Sequence, residues 1–220
     1  VEVYELEGEG AHKTRLDRSL ARGASTFVGR ENELALLTHA LDRVRQGEGQ
    51  IVAVIGNAGI GKSRLCHEFT QACENSGVAV HRATGVPYGN AVPMLPIQAL
   101  TRARLGLPER APAAELRRLV AGTFLLHDTA NASLLPAVFD FLGTSETSAT
   151  LAPDQAAAAR KKMLDLLAQY LPCNEQPQIL LVEDLHFLDT ASEEFLVQLC
   201  QYIRSSKTLL LLNYRPEYVS

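Results

Sequence analysis

The eight residues Gly56-Asn57-Ala58-Gly59-Ile60-Gly61-Lys62-Ser63 fit the pattern G-x-x-x-x-G-K-[ST]. Glycines at these points let the backbone curl so that successive N–H groups face one spot, and a helix starting there adds the positive end of its dipole. That combination is an anion cradle of phosphate size. Lys62 brings a point charge to the β- and γ-phosphates, and the Ser63 hydroxyl is a hard oxygen suited to Mg²⁺. Further along, Ile179-Leu180-Leu181-Val182-Glu183-Asp184 is an apolar run ending in paired carboxylates. One acid can hold Mg²⁺ directly or through water, and the other can orient or deprotonate an attacking water. Asn213, Tyr214 and Arg215 follow a third apolar run, Leu209 to Leu212. A guanidinium there can fork onto γ-phosphate oxygens and separate triphosphate from diphosphate.

These residues need a scaffold that brings them together. Ile51 to Ile55 is apolar, β-branched and too short for a helix, which predicts a strand buried on both faces of a parallel sheet. Leu65, Phe69 and Cys73 recur at helical spacing until Asn75 and Gly77, and Val78 to Val80 predict another strand. An earlier helix from Glu31 carries Leu34, Leu37, Leu41 and Val44 and breaks at Gly47 and Gly49. A helix over Asp154 to Tyr170 leads through Pro172 and Pro177 to the strand Ile179–Val182. Thr190 and Glu193 predict a capping box for a last helix with the stripe Leu196, Leu199, Cys200 and Ile203, before the strand Leu209–Leu212. Strands alternating with helices argue for an α/β fold with a parallel sheet, whose ligands sit beyond the carboxyl ends of the strands. The phosphate loop and the two acids are therefore expected on one edge. Residues 85–151, punctuated by Pro87, Pro93, Pro96, Pro108, Pro112 and Pro136, are expected to form a helical insertion with helices near Ala113–Val120 and Leu134–Leu142.

Composition narrows the class. Of the 220 residues, 46% are hydrophobic and 21% charged, as in ordinary globular domains. A net charge of −4 excludes a broadly basic nucleic-acid surface, and Arg117-Arg118 and Arg160-Lys161-Lys162 fall in helical patterns as solvated faces. Cys66, Cys73, Cys173 and Cys200 lack zinc or redox spacing and are expected as reduced packing residues in helical or buried segments. The six histidines show no metal spacing; His186, two positions after Asp184, either couples the site to a moving segment or serves structure. No run approaches the ~18 apolar residues of a membrane span, so no membrane partner is expected and the expected location is the cytoplasm. Residues 1–7 alternate like a short strand, and residues 8–23 form a Gly-punctuated connector.

Thr26-Phe27-Val28-Gly29-Arg30-Glu31, the phosphate loop through Arg64-Leu65, Glu183-Asp184-Leu185-His186-Phe187-Leu188-Asp189 and the weaker Asn213-Tyr214-Arg215-Pro216-Glu217 together resemble a known family. The chain is similar to the nucleotide-binding module of STAND-class P-loop ATPases, in particular those fused behind class III adenylate/guanylate cyclase domains in multidomain bacterial signalling proteins. The resemblance implies an AAA-like P-loop NTPase core, a parallel sheet flanked by helices, that binds ATP or ADP with Mg²⁺. It lays Phe27, Val28, Gly29 and Arg30 over the adenine and Gly56, Asn57, Ala58, Gly59, Ile60, Gly61, Lys62, Ser63 and Arg64 around the phosphates. Ser63 and Glu183 would hold the metal, Asp184 the attacking water and Arg215 the γ-phosphate, with Asp189 a second candidate for metal or water. Asn57 and Ala58 stand where the family has Glu and Pro, and Phe187 and Leu188 where it has Trp and Ala. Residues 1–25 would be the exit strand and linker of a preceding cyclase-like domain, and 26–220 the NTPase domain. The family continues into a helical lid, a winged helix and often repeats, which are absent here, so weak nucleotide binding and slow turnover are expected. The implied role is a nucleotide-dependent switch for an attached output domain. Two rivals stand beside it: a scaffold that binds nucleotide without hydrolysis, and a P-loop small-molecule kinase.

Overall fold

The computed structural model describes residues 26–87, 93–108, 110–145 and 153–218. The expected strand at 1–7 and the linker to residue 25 lie outside them. In chain order the elements are α1 (Glu31–Arg45), β1 (Gln50–Ile55), α2 (Lys62–Asn75), β2 (Ala79–Thr84), α3 (Leu95–Arg104), α4 (Ala113–His127), a 3₁₀ turn (Thr129–Leu134) and α5 (Leu135–Phe141). They continue with α6 (Pro153–Tyr170), β3 (Gln178–Glu183), a 3₁₀ turn (Leu185–Phe187), α7 (Thr190–Ile203) and β4 (Thr208–Tyr214). The strands form one sheet in the order β1-β4-β3-β2, every pair parallel, as the alternation of strands and helices requires.

The central strands β3 and β4 are apolar on both sides because both sides are covered. Side chains alternate between faces. Ile179, Leu181, Leu209 and Leu211 pack with Leu37, Leu41 and Val44 of α1 and Leu65, Phe69 and Cys73 of α2. Leu180, Val182 and Leu210 join the opposite core with Ile97 and Leu100 of α3, Val120 and Phe124 of α4, Leu167 of α6 and Phe195 and Leu199 of α7. The result is a helix–sheet–helix sandwich with the loops at the carboxyl ends of the strands left free for a ligand.

Several expectations change in the structure. β1 is not buried on both faces: it is an edge strand with Ile51 at 43% and Ile55 at 53% exposure. An apolar run reports hydrophobicity alone, whereas the order of strands decides which is central. β2 runs to Thr84 and β4 to Tyr214, so Asn213 and Tyr214 lie inside the strand and not past it. The cap of α7 is Asp189, whose carboxylate accepts from the Ser192 amide, while Thr190 is the first helical residue. The Glu193 carboxylate, expected to close a capping box, accepts instead from the Tyr218 hydroxyl at 2.6 Å. Cys66 and Cys73 are buried and Cys200 lies within α7, as expected, but Cys173 is exposed beyond the end of α6.

Candidate functional site

The phosphate loop joins β1 to α2, and its backbone takes the predicted curl. Gly59 and Gly61 have φ of +80° and +92°, values that a side chain would strain. Among the described residues no backbone carbonyl accepts from the amides of Asn57 to Gly61, and the first amides of α2 have no partner within the helix either. The Lys62 ammonium folds over the loop, donating to the Gly56 carbonyl at 2.7 Å and the Asn57 carbonyl at 3.0 Å. The loop is fastened to the sheet where the Gly56 amide donates to the Tyr214 carbonyl at 3.3 Å.

The acids meet this loop because β3 lies one strand away from β1 across β4. The Ser63 hydroxyl is near enough to the Glu183 carboxylate to draw its pKa down. Asn213, fully buried on β4, donates from Nδ2 to Glu183 Oε1 at 2.9 Å and accepts the Asp184 amide on Oδ1 at 2.8 Å. One carboxamide thus sets both acids. Burial pushes the Glu183 carboxyl above its ordinary range, against the pull of Asn213 and Ser63, and the neighbouring Asp184 charge adds to the push. Asp184 has φ +55°, a left-handed conformation that Asp tolerates better than most residues and that turns the chain sharply after the strand. Beneath the acids, the Cys66 thiol is pushed up to about 12, by burial first and then by the Glu183 charge.

The remaining candidates take distinct places. Arg215 follows β4, with its guanidinium 6.0 Å from the centre of the Phe187 ring and in reach of His186 electrostatically. Burial holds His186 below the usual imidazole range, with the Asp184 charge opposing it. The Asp189 carboxylate is fully engaged as cap and tether: it accepts from the Ser192 amide and hydroxyl at 3.0 and 2.7 Å and from the Met94 amide at 2.9 Å. Those bonds occupy both of its oxygens. Arg30 donates to the Ile60 carbonyl at 3.0 Å, which ties the 26–30 segment to the phosphate loop. Between them lies a cavity of about 300 Å³ lined by Thr26, Phe27, Val28, Arg30, Gly61 and Arg64. Val28 is 73% exposed there, and Arg64 is ion-paired with Glu68.

A phosphate cradle, a lysine over it and a half-buried acid held by Asn213 now share one edge of a parallel sheet. The sequence pattern of the AAA ATPase domain family matches residues 26–212, which is most of the chain. The chain belongs to that family. An uncharacterized protein of Rhizobium meliloti (strain 1021) is 29% identical over 218 residues, covering 95% of this chain and 20% of the relative. The chain thus spans a fifth of the length of that curated relative. A structure of Drosophila ORC bound to DNA superposes with a TM-score of 0.43 at 14% identity, covering 99% of this chain and 47% of the other.

For an AAA ATPase domain the donor set suits Mg²⁺. That ion takes one or two protein oxygens and completes its octahedron with water and phosphate. Ser63 and Glu183 are two such oxygens, near enough that Ser63 lowers the Glu183 pKa. Among the described residues no group of three His, Cys, Asp or Glu side chains gathers into an all-protein metal site. Nor is any described helix long and apolar enough to cross a membrane. Asn213 is the residue that sequence reasoning undervalued. Its signal was a polar side chain at the end of the otherwise apolar run from Leu209.

Proposed function

We propose that this AAA ATPase domain binds Mg-ATP or Mg-ADP, hydrolyses ATP slowly, and works as a cytoplasmic, STAND-class switch for an attached output domain, a nucleotide cyclase on its N-terminal side. Lid, winged-helix and repeat domains on its C-terminal side complete the proposal. The observation that carries the nucleotide reading is that the curled phosphate loop, with Lys62 folded over it, lies on the same sheet edge as Glu183, whose carboxylate Asn213 holds at 2.9 Å. The cyclase association rests on the resemblance of the quoted blocks alone; the curated relative is long enough to hold further domains.

In this reading the free loop amides and Lys62 bind the β- and γ-phosphates, and the cavity beside residues 26–30 takes the adenine. Mg²⁺, held by Ser63 and Glu183, supplies charge neutralisation on the phosphate oxygens. Asp184 orients the attacking water, and Arg215 reaches the γ-phosphate. Burial raises the hold of Glu183 on a proton, and a bound cation would compete with that proton for the carboxylate.

Radiolabelled ATP turnover and calorimetric titration of ATP and ADP with Mg²⁺ test this together. The parent is expected to bind both nucleotides and to release phosphate; Lys62→Ala should lose binding, and Asp184→Asn should keep binding but lose turnover. Identical rates in the parent and Asp184→Asn would favour a non-hydrolysing scaffold. Phosphate transfer to an added small acceptor would favour a kinase.

A further inference from the structure

Of the four cysteines, Cys173 is the one open to solvent. Burial pushes the Cys66 thiol up to about 12 and the Cys73 thiol up to about 11, and it raises Cys200 as well, so these three are poor nucleophiles in the folded chain. Cys173 stands instead in the turn between α6 and β3, and its Sγ lies 3.8 Å from Nε2 of His127, the last residue of α4. His127 is exposed too, so a small molecule can reach the sulfur and the imidazole together.

The ends of three helices hold this pair in place. The Cys173 amide donates to the Tyr170 carbonyl at 3.0 Å, and the Cys173 carbonyl accepts from the Arg104 guanidinium, at the end of α3, at 2.6 Å. That guanidinium lies 4.9 Å from the centre of the Tyr170 ring, and Tyr170 packs on the buried Phe124, three residues before His127 in α4, with ring centres 4.9 Å apart. An accessible thiol whose backbone is fixed at both polar groups, with an imidazole nitrogen in reach, has the parts of a base-assisted nucleophile. Cys173 precedes β3 and Glu183 ends it, so the pair sits at the other end of that strand from the acids and is independent of the nucleotide reading.

We propose that Cys173 is a redox-modification site that takes a low-molecular-weight disulfide, with His127 as its base. His127 Nε2 accepts the thiol proton while Sγ attacks one sulfur of the disulfide. A new S–S bond to Cys173 forms, the S–S bond of the reagent breaks, and the leaving sulfur departs as a thiol with the proton that His127 passes on. Cys173 is oxidised and the reagent is reduced, so the exchange needs no further electron carrier.

The test is incubation of the folded chain at pH 7 with oxidised glutathione, followed by intact-mass spectrometry and peptide mapping, in the parent, Cys173→Ser, His127→Ala and His127→Gln. A single adduct is expected in the parent, mapped to Cys173 and removed by dithiothreitol, with none in Cys173→Ser. Both His127 variants should form it about tenfold more slowly, and added imidazole should restore part of the rate. No adduct in the parent, or one mapped to Cys66, Cys73 or Cys200, overturns the site. An unchanged rate in the two His127 variants overturns the role of the base, and a slower rate that imidazole leaves as it is assigns His127 a structural part and overturns that role equally.

Discussion

Asn213 is the residue on which the geometry of the acids turns. Its carboxamide pairs with Glu183 through one end and with the Asp184 amide through the other, all within the buried end of β4. Asn213→Leu keeps the branched outline, though it is bulkier, and leaves a half-buried carboxylate oxygen and an amide without that partner, so a loss of about 2–4 kcal/mol is expected in urea unfolding. Mg-nucleotide affinity should fall with it, because Glu183 would lose the bond that fixes its carboxylate. Gly85 tests the same arrangement sterically. A Cβ at that position would lie 2.4 Å from the Asp184 carbonyl oxygen, a backbone atom that cannot swing aside alone. Gly85→Ala should therefore cost about 1–3 kcal/mol by thermal melting and displace the acid turn, reducing ATP turnover further than stability alone explains. Of these residues, Lys62, Ser63 and the acids were legible from type and spacing. Gly85 was not, since nothing local marks a glycine whose neighbour arrives from β3.

Among the elements, the turn from β3 to α7 is the part that connects site and scaffold. Asp189 ends it, capping α7 through Ser192 and holding the Met94 amide at the start of α3. Burial raises the Asp189 pKa, but the bonds from Ser192 and Met94 outweigh it, so the carboxyl sits below its ordinary range. The unfolded chain then binds more protons over that interval. The contribution of Asp189 is complete above the ordinary Asp value of about 4 and disappears as pH falls through the lower folded value. Asp189→Ala should lose about 1–3 kcal/mol at pH 7, and the gap to the parent should close in melts taken on acidification towards pH ~3. The capping-box expectation at Thr190 failed by one residue because Asp189 is an equally good cap and its second oxygen has a tertiary partner in Met94. Sequence signals rank caps by residue type, and the tertiary bond decides between neighbours.

At the scale of the whole molecule, two independent cores on either side of the sheet place the loop, the acids and Asn213 at one edge. A ligand that binds only this assembled edge stabilises the entire fold by mass action. With Mg-ATP at a hundredfold excess over its dissociation constant the gain is about 2.7 kcal/mol, which predicts a rise of roughly 5–10 °C in melting temperature for a domain of this size. Lys62→Ala should show no such rise. The amino-acid sequence alone determined the parallel α/β class, the phosphate loop and the acid pair, because apolar runs, helical periodicity and a glycine-lysine motif are local properties written in consecutive residues. Only the tertiary structure decided that β1 is an edge among the described strands, that Asn213 bridges the acids and that Asp189 is a tether. Each of these depends on which strands and turns become neighbours, and that follows from packing both faces of the sheet at once.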